Sequence, residues 1–146
     1  MEYKETERKF LVRGEYKSSA TKSSHIIQAY LNTDPDRTVR VRIRDGRAWI
    51  SVKGRNDGAT RFEWEKEIGV DEAEALLPLC EPGTIDKTRY IVPFKGHDWE
   101  VDEFSNGLTL AEIELSDENE EFARPDWVAE EVTGDPRYYN SNISRA

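Results

Sequence analysis

In segment after segment of this chain, charged and apolar residues alternate strictly. Thr38-Val39-Arg40-Val41-Arg42-Ile43-Arg44 sets three arginines on one parity and Val39, Val41 and Ile43 on the other. Successive side chains of a strand point to opposite faces, so an extended backbone makes a ribbon with one charged and one apolar face; a helix would scatter the same residues around its axis. Arg61 to Ile68 places Glu63, Glu65 and Glu67 opposite Phe62, Trp64 and Ile68, and Leu110 to Leu115 repeats the device with Glu112 and Glu114. Near the start, Glu5, Glu7 and Lys9 share one parity in Glu5-Thr6-Glu7-Arg8-Lys9. Lys53 stands against Ala48, Ile50 and Val52, and Lys87 and Arg89 share a parity in Asp86-Lys87-Thr88-Arg89-Tyr90.

These patterns predict strands near residues 3–12, 25–32, 37–45, 47–53, 60–69, 84–94, 97–104 and 108–116. Asp45-Gly46 between two alternating runs is a hairpin signal. Helical signals are fewer: Gly14 to Ser24, Asp71 to Cys80 behind a capping Asp, and Pro125 to Glu131 behind a proline suited to a first turn. Asp117 to Glu121 reads as a solvated helix start. With 146 residues and no repeat or linker, the chain reads as a single domain over 1–146.

Net charge is −9, from 30 acidic and 21 basic residues, so phosphate backbones would be repelled and nucleic acid is not an expected partner. No apolar run is long enough to cross a bilayer and none near the start resembles a signal peptide, so no membrane association is expected. The single Cys80 has no internal disulfide partner and reads as a small buried apolar residue in a cytoplasmic protein. His25 and His97 lie far apart and offer little to a zinc site or a hydrolase triad. The four tryptophans read as packing residues, except that Trp49 shares the parity of Ser51 and Lys53 and could meet a ligand.

Two arrangements fit such strands. An open antiparallel sheet would leave its charged face in water, with Glu, Lys and Arg paired across strands. Closure into a barrel of roughly eight strands would instead turn the charges inward, with helices over the apolar outer faces. A lumen carrying both signs suits a metal–polyphosphate complex: Arg and Lys hold phosphate oxygens, and carboxylates tolerate those oxygens only with a hard divalent cation between them. Asp98, Glu100 and Asp102 also share a parity but lack a basic neighbour of fixed spacing, and rank below the glutamate pairs.

Taken together, Glu5-x-Glu7-x-Lys9, Gln28-Ala29-Tyr30-Leu31, Arg40/Arg42, Ser51-Val52-Lys53-Gly54, Glu63/Glu65, Lys87-Thr88-Arg89-Tyr90, Glu112/Glu114 and the closing Asp135 to Asn142 resemble the CYTH superfamily of triphosphate tunnel metalloenzymes, in its short bacterial form. The resemblance implies a mainly β fold, a closed eight-stranded antiparallel barrel with a charged lumen and a few flanking helices. It implies hydrolysis of inorganic triphosphate to pyrophosphate and phosphate with Mg²⁺ or Mn²⁺, the triphosphate being the small-molecule partner. Carried onto this chain, Glu5, Glu7, Glu63, Glu65, Glu112 and Glu114 would hold metal, and Lys9, Arg40, Arg42, Lys53, Lys87 and Arg89 would hold phosphates. Glu5, Glu7, Lys9, Glu65 and Glu114 are the expected catalytic group. The same residues could serve a class IV-type adenylate cyclase or a nucleoside or thiamine triphosphatase, and a non-catalytic polyphosphate-binding module would keep the basic residues without metal-dependent turnover.

Overall fold

The computed structural model describes residues 3–143. Among them nine strands form one antiparallel system: β1 (Lys4–Val12), β2 (Lys22–Asn32), β3 (Arg37–Arg44), β4 (Arg47–Gly54), β5 (Thr60–Ile68), β6 (Ile85–Phe94), β7 (His97–Phe104), β8 (Thr109–Glu114) and β9 (Val128–Glu131). The order β5-β4-β3-β2-β6-β7-β8-β1 returns on itself because β1 also pairs with β5. One edge of β1 meets β8 from Glu7 to Leu11, while its other edge meets β5 through Lys4, Glu5 and Thr6. The sheet is therefore a closed barrel of eight strands, with β9 added beside Phe10 and Val12 where β5 has left that edge of β1. Of the two arrangements open to the alternating strands, closure is the one adopted.

Two hairpins have two-residue turns with positive φ at both positions, Asp45 (50°) with Gly46 (76°) and Lys95 (45°) with Gly96 (89°). That geometry follows the twist of the flanking strands and fixes register: Arg44 faces Arg47 and Phe94 faces His97.

The apolar parity of the strands faces outward and, except on β5, is largely covered there. Phe10, Val92, Trp99, Val101, Ala111 and Ile113 pack with Tyr16, Leu115, Trp127 and Val128. Each large side chain so buried contributes about 1.5–3 kcal/mol. The expected helical cover is only partly present. Helix α1 (Val70–Leu76) lays Ala73 on Val41 and Ala48, but the larger cluster is roofed by irregular chain around Tyr16 and around Phe122 to Val128. Gly14 to Ser24 holds only a 3-10 turn at Lys17–Ser19, because β2 starts at Lys22 to pair with Ile91. Of Pro125 to Glu131, Val128–Glu131 becomes β9, since hydrogen bonding to the free edge of β1 outweighs the weak helical tendency of so short a stretch. Asp117 to Glu121 forms turns, where the Ser116 amide and hydroxyl both donate to Glu120 Oε1. Cys80 is half-buried, and Trp64, on the outer face of β5, is 36% exposed instead of packed.

Toward the C-terminal end of β1 the inward parity turns apolar. Tyr30, Ile85, Phe104 and Leu110 form an internal cluster with Leu11, and Tyr138 and Ile143 of the chain's last described segment pack on it. That segment comprises a 3-10 turn (Pro136–Tyr138) and the four-residue helix α2 (Asn140–Ile143). No helix of the described residues is long and apolar enough to cross a membrane.

Candidate functional site

Register decides which charges meet inside the barrel. Across β1 and β8, Glu7 faces Glu114 and Lys9 faces Glu112; across β7 and β8, Glu100 faces Glu112. Across β4 and β5, Ser51 faces Glu65 and Lys53 faces Glu63. A lumen cavity of about 190 Å³ is walled by Glu5, Glu7, Glu63, Glu65, Glu112 and Glu114 from the acidic strands and by Arg40, Arg42, Lys53 and Arg89 from the basic ones. Lys9 borders an adjoining cavity at the mouth crossed by the C-terminal segment, which also reaches Glu5, Glu7, Arg40 and Lys53. Lys87 lies beneath the wall with its side chain fully buried.

Among the expected metal ligands, Glu5, Glu7 and Glu114 each bring a carboxylate oxygen within 4.8 Å of the others. The remaining three have other partners as well. Glu65 accepts from Ser51 Oγ at 2.8 Å and Arg40 Nη2 at 3.4 Å, and Glu63 pairs with Lys53 at 3.2 Å. Glu112, 5% exposed, lies opposite Lys9. Lys53 also donates to Glu5 at 3.1 Å.

The basic residues are held in fixed poses. Arg89 grips Asp102 through Nε at 2.7 Å and Nη2 at 2.9 Å, and reaches Glu100 at 3.3 Å; Lys87 donates to the same Asp102 at 2.8 Å. Burial alone would raise the Asp102 carboxyl, but Arg89 and then Lys87 outweigh it and hold it at about 2. Arg42 differs: its Nε donates to Gln28 Oε1 at 3.0 Å, and no carboxylate of the described residues lies within ion-pair distance. Burial, then Arg40 and Arg89, pull its guanidinium down to about 9, so at neutral pH it remains a cation awaiting an anion.

Asp102, Glu100, Gln28 and Ser51 thus join the site. Parity places Asp102 and Glu100 on one face but does not show that Asp102 falls opposite Arg89, and the neutral Gln28 enters only within the Gln28-Ala29-Tyr30-Leu31 stretch of the resemblance. Trp49 keeps its inward parity opposite Arg42, with the Arg44 and Arg47 guanidinium carbons 4.9 and 5.5 Å from its ring centroid.

Crowded carboxylates titrate abnormally. Burial, then Glu112 and Glu5, raise Glu7 well above its ordinary value. Burial, then Glu100, Glu5, Glu63 and Glu112, push Glu114 up to about 7. Glu112 moves the other way: burial opposes its charge, but Lys9, a hydrogen bond from Glu7 and then Arg89 and Lys87 draw it well below 4.5. A carboxyl with a raised folded-state pKa binds more protons folded than unfolded. Its contribution is complete below about 4.5, the unfolded value, and disappears as pH rises through the folded one. Metal-free protein should therefore lose melting temperature as pH climbs from about 4.5 to 7. A divalent cation should restore more at the upper end of that window, because it binds the deprotonated group. Thermal unfolding in EDTA and in Mg²⁺ across this range checks both; a flat metal-free profile would contradict the reading of the carboxylate cluster.

The donor set is all oxygen, clustered and anionic, which fits a hard divalent cation such as Mg²⁺ or Mn²⁺. The inorganic triphosphatase of Acetivibrio thermocellus is 49% identical over 144 residues, covering 96% of this chain and 92% of that protein. The inorganic triphosphatase of Nitrosomonas europaea is 33% identical over 147 residues, covering 96% of each. The crystal structure of an inorganic triphosphatase superposes with a TM-score of 0.70 at 31% identity, covering 97% of both chains. The CYTH domain model matches residues 3–140, nearly the whole of the barrel and its C-terminal segment, and with it the chain belongs to the CYTH domain family.

Proposed function

We propose that this protein hydrolyses inorganic triphosphate to pyrophosphate and phosphate, using Mg²⁺ or Mn²⁺ held by Glu5, Glu7 and Glu114. One observation carries the reading: three carboxylates within 4.8 Å of one another stand in the same lumen as Arg40, Arg42, Lys53 and Arg89. The names of the two relatives, both inorganic triphosphatases, point the same way. A cytoplasmic setting is proposed with it, from the lone thiol of Cys80.

The chain's own residues supply position and charge, which is most of what phosphoryl transfer asks of a protein. Arg42 offers a guanidinium with no competing carboxylate. Arg40 and Arg89 are braced by Glu65 and Asp102, which fixes their positive charge at the lumen wall before an anion arrives. Lys9 and Lys53 add point charges near the glutamates. A bound divalent cation would screen phosphate oxygens from the glutamates and neutralise charge developing on them. The glutamates accept hydrogen bonds from a water and orient it in line with the terminal phosphorus.

The test is release of phosphate from inorganic triphosphate, pyrophosphate, ATP and thiamine triphosphate, each with Mg²⁺, Mn²⁺ and EDTA. Metal-dependent cleavage of inorganic triphosphate, with equimolar pyrophosphate and phosphate, is expected. Cyclic AMP from ATP with no triphosphate cleavage would replace hydrolysis by cyclisation, and no turnover of any substrate would leave a binding barrel.

A further inference from the structure

We propose that Asn140, supplied by the C-terminal segment, is a triphosphate-binding residue; the inference rests on the hydrolase reading above and adds a contact outside the charged strands. The segment is fixed on both sides of Asn140. Before it, the Lys9 ammonium donates to the Tyr138 carbonyl at 2.8 Å and the Tyr138 ring packs on the internal apolar cluster. After it, the amides of Asn142 and Ile143 both donate to the Tyr139 carbonyl at 2.9 Å, and Ile143 packs on the same cluster. Asn140 is thereby held at the junction of two cavities, bordering both the lumen and the adjoining mouth, which share Glu5, Glu7, Arg40 and Lys53.

The Asn140 carboxamide oxygen is shut off from solvent and meets no donor among the described residues. Arg40 Nε, on the wall of the same two cavities, likewise meets no acceptor. Buried polar atoms are rarely left this way, and two of them on residues that line one site point to a ligand that satisfies both when it is bound. A ligand rich in oxygen acceptors fits. It takes the Arg40 Nε–H once the guanidinium turns toward the lumen, and a half-turn of the terminal Asn140 bond exchanges oxygen for the NH₂ group, which then donates to a phosphate oxygen. Triphosphate presents such oxygens along its whole length. Asn140 adds a neutral donor there, strengthening the hold on phosphate without adding another charge to a crowded lumen.

The experiment is steady-state hydrolysis of inorganic triphosphate with Mg²⁺ by the wild type, Asn140→Ala and Asn140→Asp, with thermal unfolding of each. Loss of one hydrogen bond to a charged oxygen should raise KM about tenfold or more in Asn140→Ala. Asn140→Asp keeps the shape but sets a carboxylate against phosphate, so its KM should rise further while its melting temperature stays near wild type. Unchanged KM in Asn140→Ala overturns the inference. An Asp variant less impaired than the Ala variant, or equal impairment of both with equally lowered melting temperatures, makes Asn140 a shape-filling residue and overturns it too. A wild type that does not cleave triphosphate removes the hydrolase reading itself, a result separable from all of these.

Discussion

Glu7→Gln should lower triphosphate turnover by about two to three orders of magnitude and, in the metal-free protein, raise the melting temperature. Both effects have one cause. Glu7 is one of three carboxylates converging within 4.8 Å, and burial with the Glu112 and Glu5 charges raises its pKa well above the ordinary value. The metal-free barrel therefore carries repulsion that an uncharged amide of the same shape removes. A bound divalent cation reverses the balance, since the wild-type carboxylate then gains a counter-charge that the amide cannot use. The stabilising effect of the substitution should shrink or change sign when Mg²⁺ is added. Turnover near wild type would exclude Glu7 from the metal site. A lowered melting temperature in EDTA would show that Glu7 serves the fold instead. Opposite movements of activity and stability are expected where a site is kept strained for chemistry.

What sequence could show of this site follows from what period two encodes. Parity alone sorts side chains into faces, so the inward sets of β3, β5 and β8 were legible, as was the apolar outer set around Val41, Ile43 and Ile113. The choice between open sheet and barrel depended on the pairing of Lys4, Glu5 and Thr6 with β5, a contact between residues more than fifty positions apart that no local pattern specifies. The strand β9 escaped notice for a related reason. Four residues after a proline carry a weak local preference, and what makes them a strand is the vacant edge of β1 at Phe10 and Val12.

Asp98, Glu100 and Asp102 show the limit most clearly. They share a parity, yet register gives them three environments: Asp98 faces Pro93 near a hairpin turn, Glu100 faces Ile91 on one side and Glu112 on the other, and Asp102 faces Arg89. Parity alone does not distinguish a buried counter-ion from an exposed carboxylate. Asn140 lies in the closing Asp135 to Asn142 stretch of the resemblance, but its neutral side chain takes on a role only once that segment is seen to cross the mouth of the barrel.

Removing the Asp102 charge should damage the fold severely. Asp102 is 1% exposed and takes three hydrogen bonds, from Lys87 Nζ and from Nε and Nη2 of Arg89. Its partners are 1% and 7% exposed, so neither can turn to water when the carboxylate is lost. Stranding buried charges in this way costs about 3–5 kcal/mol, which for a domain of this size corresponds to a melting temperature lower by on the order of 10–15 °C. Asp102→Ala should show the full loss, and Asp102→Asn somewhat less, because its amide oxygen still accepts one bond. The surplus positive charge has a second consequence that a purely structural aspartate would not produce. Phosphate or triphosphate, added without metal, should raise the melting temperature of the variants more than that of the wild type, because the anion replaces the missing counter-charge beside Arg89 and Arg42. Equal shifts in variant and wild type would place the anion elsewhere in the lumen. An unchanged melting temperature in Asp102→Ala would mean that the remaining carboxylates, Glu100 and Glu112, suffice to hold Lys87 and Arg89. In either role the physical requirement is the same: a tunnel that binds a polyanion has to keep its cations buried and fixed before the anion arrives, and Asp102 is the group that lets two of them remain there.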